Sequence, residues 1–205
     1  MARGRAPGYD SQRETILARA AELFAQRGYA GTSMNEVAEA CGLSKPALYH
    51  YFKDKYALLV NIAEGHVLRL EAVVDEVLDQ QLPAQEHLGQ LIRCFVEEYA
   101  DAQHAHRVLT EDIRFLNDDD RERILERERR VVSAFSNVIR QIRPEIDAAR
   151  MATPLTMLLF GMINWMFTWL KPDGELTYEA MATVVADLFF GGIPAVRLPT
   201  QPTLP

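Results

Sequence analysis

Cysteine is scarce in this 205-residue chain, which has only Cys41 and Cys94. Two thiols set in apolar helical patterns, with no paired spacing, exclude a disulfide framework and a cysteine-based zinc site and point to a reducing compartment. No run of alternating apolar and polar residues reads as a strand. The longest apolar stretch, PLTMLLFGMINWMFTWL at 154–170, is shorter than the ~20 residues a membrane span needs and carries Asn164 inside it, so it predicts a helix buried on all sides. The basic start MARGRAPGYD lacks the apolar segment of a secretory signal, and the expected location is the cytoplasm. Glycine-rich phosphate loops and nucleophile elbows are missing too. His104 and His106 stand two apart, a spacing that does not put both on one helix face for a metal. Neither an enzyme nor a resident cofactor is expected.

What is present is asymmetric charge. The chain carries a net −7, yet residues 1–55 hold eight Lys and Arg against six Asp and Glu, while residues 56–205 hold fourteen against twenty-three. A mildly basic module on an acidic body suits local phosphate binding better than the whole-chain sum suggests.

Start and stop signals divide the chain into helices. Ser11 with Glu14 reads as a capping box for a helix striped by Ile16, Leu17, Ala20, Leu23 and Phe24 and ended by Gly28. Ser33 with Glu36 opens a shorter helix closed by Gly42, and Ser44 caps a third, with Pro46 tolerated in its first turn. Asp54 caps a long connecting helix that runs to Pro83. Further helices are predicted at 85–104, 106–116, 119–142, 154–170 and from Thr177 to Gly192. The acidic NDDD at 117–120 suits the positive end of the helix that follows it. The tail PAVRLPTQPTLP is rich in proline. The expected fold is all-α. A small N-terminal module of three helices covers 1–55, a larger helical module covers 56–193, and a flexible tail covers 194–205.

GLSKPALYHYFKDK, at 42–55, is too polar and aromatic for a helix used only in packing. Joined by CGLS to the helix before it, it has the helix-turn-helix pattern, whose second helix enters the major groove of DNA. The wider stretch TSMNEVAEACGLSKPALYHYFKDKYALL, 32–59, resembles the N-terminal region of the TetR family of one-component repressors. It departs from the family pattern at Cys41, Leu43 and Pro46. The resemblance implies DNA contacts. Thr32, Ser33, Tyr49, His50 and Lys55 are then the phosphate set; Ser44, Lys45, Pro46 and Ala47 face the bases; Arg3 and Arg5 form a minor-groove arm.

It also implies a homodimer built on 154–170 and 177–191, two recognition helices about 34–36 Å apart, and a palindromic operator. A small effector is expected among the later helices. Its candidate lining is Phe95, Tyr99, Phe115, Phe135, Asn164, Trp165, Phe167 and Trp169, with Arg107 and Arg114 available for an anionic group. Arg107 and Arg114 have another use open to them, pairing with Glu111 or Asp112. The stretch 161–193 resembles TetR-type regulators that sense acyl-coenzyme A thioesters, of fatty-acid or phenylacetyl type. A repressor of an efflux gene that senses cationic compounds is the alternative, marked by acidic residues facing the pocket. A DNA binder with no ligand would show a filled core.

Overall fold

The computed structural model describes residues 8–171 and 174–196, and among these every regular element is helical. In chain order they are α1 (Tyr9–Arg27), α2 (Met34–Ala40), α3 (Lys45–Tyr51), α4 (Lys55–Leu78), α5 (Ala84–Asp101), α6 (Gln103–Glu111), α7 (Asp118–Ile142), α8 (Glu145–Ala148), α9 (Ala152–Asn164) and α10 (Tyr178–Gly192). Short 3-10 turns follow α6, α9 and α10. No described helix is long and apolar enough to cross a membrane. The expected minor-groove arginines Arg3 and Arg5 and most of the expected tail lie outside the described residues.

The helices form two units. One comprises α1 to α3, the first half of α4, α6 and the start of α7; the other comprises the rest of α4 and α7 with α5, α8, α9 and α10. Packing therefore divides the chain differently from a break after residue 55. Leu58, Leu59, Ile62, Ala63 and Val67 of α4 join Ile16, Phe24, Val37, Leu48 and Phe52 in the first core, and Val108, Leu109 and Ile124 complete it. One helix of ordinary length and two short ones offer little apolar surface alone, and these later segments supply the remainder.

The second core is built around Phe95, Phe135 and Phe160, whose rings meet edge-on or tilted at 4.8 to 6.1 Å. Within it Ser136 of α7 and Thr156 of α9 are buried and 2.9 Å apart. Thr156 donates its own proton to the Ala152 carbonyl, so Ser136 is the donor of the pair.

Most boundaries follow their sequence signals, and the exceptions have local causes. Gly8, at φ 87, precedes α1, which starts at Tyr9. Ser11 thus sits inside the first turn and does not cap; its carbonyl accepts from the Thr15 hydroxyl. The predicted helix over 154–170 ends as an α-helix at Asn164. Beyond it both the amide and the hydroxyl of Thr168 donate to the Trp165 carbonyl, which closes a tighter turn. The helix predicted over 106–116 likewise becomes α6 plus a 3-10 turn at Ile113–Phe115.

Candidate nucleic-acid interface

Helix α2 opens on a complete capping box. The Ser33 hydroxyl accepts from the Glu36 amide, and the Glu36 carboxylate accepts from the Ser33 amide and hydroxyl at 2.7 Å. Those hydrogen bonds hold the Glu36 carboxyl below its usual range. The helix closes on a Schellman turn, in which Leu43 N–H donates to the Ala38 carbonyl and Gly42 N–H to the Glu39 carbonyl. Gly42 takes φ 65, which glycine adopts without strain. The chain then re-enters helix at once, because the Ser44 hydroxyl caps the Ala47 amide and Pro46 sits in the first turn with no amide to satisfy.

Helix α3 is seven residues long and rests on one fully buried side chain, Leu48. Phe52, buried beyond its end, and Tyr51, stacked on Tyr9 at 4.7 Å, hold its inner side. This leaves Ser44, Lys45, Pro46, Tyr49, His50 and Lys53 exposed, with Ala47 half-buried among them. Tyr49 is 43% exposed, a large value for an aromatic ring. One short helix thus presents an ammonium, a phenol, an imidazole and two apolar edges side by side, a mixture able to donate to phosphate and base oxygens alike.

Two residues expected at phosphates are placed otherwise. Thr32 is only 2% exposed, and its hydroxyl donates to the Gly28 carbonyl at 3.1 Å. The Lys55 ammonium donates to the Tyr29 and Thr32 carbonyls, both at 2.7 Å, and lies 4.4 Å from the Tyr29 ring centroid. Cation and carbonyls satisfy one another there, so Lys55 fixes the loop ahead of α2. Ser33 stays exposed at the helix start.

Comparison with known proteins agrees with this geometry. Residues 16–62 match the family described as "Bacterial regulatory proteins, tetR family", and residues 81–193 match "Tetracyclin repressor-like, C-terminal domain". The chain belongs to the TetR family. A TetR-family transcriptional regulator from Bordetella parapertussis 12822 superposes with TM-score 0.85 at 35% identity, over 92% of this chain and 99% of that one. The structure of AibR in complex with isovaleryl coenzyme A and operator DNA gives TM-score 0.75 at 28% identity, over 86% and 97%. The transcriptional repressor KstR2 of Mycolicibacterium smegmatis is 23% identical over 194 residues, 89% of this chain and 91% of that protein. These relatives are transcriptional regulators, not enzymes.

The expected effector residues fall in four settings. Phe95, Tyr99 and Phe135 are buried in the second core, where burial, with the nearby carboxylates of Glu128 and Glu98, pushes the Tyr99 phenol far up. Trp165 and Trp169 are 65% and 49% exposed, so they line the outside of their unit and no enclosed pocket; Phe167 between them is half-buried. Asn164 is half-buried with its carbonyl oxygen unpaired. Arg107, Arg114 and Phe115 belong to the first unit. There Arg107 pairs with Glu111 at 3.1 Å, Arg114 lies over the Phe115 ring, and that ring packs against Tyr29.

One residue that sequence reading passed over is Glu128. It lies one turn before Val131 on α7 and is half-buried, and no described residue gives it an ion pair or hydrogen bond. Desolvation raises its carboxyl above the usual range. The clue was present in RERILERERRVV, where position 128 falls four residues after Ile124 and three before Val131.

Proposed function

We propose that this TetR-family regulator is a repressor acting in the cytoplasm. It binds a palindromic DNA operator as a homodimer and is released by a small effector, a coenzyme A thioester. The observation that carries the DNA reading is α3, a helix anchored by one buried leucine with Lys45, Pro46, Tyr49 and His50 exposed. Ser44, Lys45, Pro46 and Ala47, at its N-terminal turn, meet base edges, while Ser33, Tyr49 and His50 meet phosphates.

The dimer reading rests on α9 and α10. Met157 and Leu158 on α9, Trp165 just past its end, and Val184 and Leu188 on α10 are 44 to 65% exposed. A second copy of the same helices is the natural cover for so apolar a surface. The thioester reading is supported by AibR, which was captured with isovaleryl coenzyme A and operator DNA together. Release follows if the effector tilts α4, one helix whose first half packs in the first unit and whose second half packs in the other.

Glu128 favours a second reading, a sensor of cationic compounds controlling an efflux gene, because an inward carboxylate without a cation partner suits a positively charged guest. A thermal-shift panel separates the two. Acyl- and aryl-coenzyme A thioesters raise the melting point under the first reading, and cationic drugs raise it under the second. For DNA, selection from random duplexes should return an inverted repeat whose half-sites lie about one helical turn apart. Failure to enrich any duplex overturns the proposal.

A further inference from the structure

Residues 28–33 join α1 to α2, and the turn they make has little slack. Gly28 takes φ 77, and the Thr32 hydroxyl donates back to its carbonyl. A Cβ at Gly31 would lie 2.6 Å from the Arg27 carbonyl oxygen, so only glycine fits so close to the end of α1. The turn delivers the chain directly to Ser33, the cap of α2.

Tyr29, in the middle of this turn, is gripped by two other helices. From the start of α4 the Lys55 ammonium donates to its carbonyl at 2.7 Å, reaches the Ala30 and Thr32 carbonyls as well, and lies over its ring. From the end of α6 come Asp112 and Phe115. The Asp112 carboxylate accepts the Tyr29 backbone N–H, and the Phe115 ring meets the Tyr29 ring at 5.2 Å. Phe24 of α1 meets the same ring edge-on at 5.3 Å.

Asp112 is the unexpected member of this set, because it is only 5% exposed. Packing alone would be served better by a hydrocarbon side chain at that depth. Burial pushes its carboxyl up, and the Tyr29 hydrogen bond opposes that more than Arg114 or Arg107 does. Its main chain is committed to α6 and the turn after it: the amide donates to the Val108 carbonyl at 2.9 Å, and the carbonyl accepts the Phe115 amide at 3.0 Å. The backbone of Asp112 thus belongs to α6 while its side chain holds Tyr29.

We propose that Asp112 is a positioning residue for operator binding. Through the Tyr29 backbone it sets where α2 begins, and α2 in turn carries Ser33 and the short connection to α3. The end of α6 thereby becomes a second handle on the DNA-reading helices, separate from the tilt of α4. The inference rests on the DNA reading above and asks nothing of the effector.

The test is titration of a labelled duplex, the one enriched by selection from random oligonucleotides, with the full chain and its variants. It is run at a temperature where circular dichroism shows each protein fully folded, so that lower stability alone removes no affinity. Asp112→Ala leaves the Tyr29 amide without its acceptor and should weaken operator binding by about tenfold. Asp112→Asn keeps an oxygen for that amide and should stay within about threefold of wild type. Charge alone predicts the opposite, since losing a carboxylate from a DNA-binding unit would tighten both variants. If the Ala variant binds as well as wild type, or the Asn variant falls as far as the Ala variant, Asp112 does not act through Tyr29, although the DNA reading survives. Should Asp112→Ala not fold, Phe115→Ala decides: it takes a 38% exposed ring off Tyr29 with little loss to the core. That variant should bind the operator about fivefold more weakly, and unchanged affinity overturns the proposal. If selection enriches no duplex with wild type, the DNA reading itself fails and this assignment fails with it.

Discussion

The Tyr56 hydroxyl donates to the Asp120 carboxylate across 2.6 Å, tying the second residue of α4 to the first turn of α7. The same phenol oxygen accepts the Asn117 amide, and Asp120 also holds Arg123, which reaches Glu64. The Tyr56 hydrogen bond, then those from Arg123 and Asn117, keep the Asp120 carboxyl below its usual range. Tyr56→Phe should cost about 1 kcal/mol of stability at neutral pH. Since the folded-state value is depressed, the contribution is complete above the unfolded aspartate value of about 3.9 and fades as pH falls through the lower folded value. Chemical denaturation of wild type and Asp120→Asn between neutral pH and pH 3 should show their difference shrinking only at the acid end.

Lys55→Met should unfold more easily, by about 2 kcal/mol, because the Tyr29 and Thr32 carbonyls lose a charged donor. Operator affinity should fall in parallel with the melting point. A loss of DNA binding at unchanged stability would mean that the ammonium reaches phosphate after all.

On α3 the two kinds of contact separate by specificity. Tyr49→Phe should weaken binding to every duplex alike, and Lys45→Ala should relax preference at one base position, for a loss of about 1–3 kcal/mol at the preferred site. Competition binding against a set of single-base operator variants reads both effects.

Glu128→Gln should stabilise the protein by about 1 kcal/mol at neutral pH, since burial disfavours the carboxylate and no cation offsets it. The folded-state value is raised, so the native state holds this proton more tightly. Wild type gives up nothing to the variant below the unfolded glutamate value of about 4.3, and it falls behind as pH rises through the raised folded value. Melting curves at pH 4 and pH 7.5 should therefore differ in the gap between the two proteins.

Leu158→Glu combined with Leu188→Glu places charge on the open stripes of α9 and α10, where these leucines are 65% and 63% exposed. Sedimentation should find wild type as a dimer and the double variant as a monomer of near-normal helicity. A dimer that survives both charges would place the interface elsewhere.

Caps and glycines made the first unit readable. Ser33, Gly42, Ser44 and Asp54 each act locally, and each stands where its sequence signal put it. The breaks after Asp101, Glu111 and Asn164 have no glycine or proline to announce them. They depend on backbone choices made by packing and by a hydroxyl three residues on. Site residues divided in the same way. Tyr49 and Lys45 were legible because periodicity leaves them outside the Leu48 anchor. Lys55 and Thr32 were not, since whether a polar side chain meets solvent or its own loop is decided by residues 23 to 26 positions away for Lys55 and four to nine for Thr32. The aromatic residues of the C-terminal half carry no pattern that distinguishes a ligand wall from a core or an outer face.

The Ser136 and Thr156 hydroxyls meet inside an otherwise hydrocarbon layer. Sliding α9 along α7 by one turn would take the Ser136 hydroxyl from its partner, while Thr156 keeps its bond to the Ala152 carbonyl and the aliphatic side chains around them could repack with modest loss. The pair therefore acts as an alignment key for the two helices. A chimera that imports α9 and α10 from another regulator inherits that key, and it will seat correctly only when the incoming helix offers a hydroxyl at the Thr156 position.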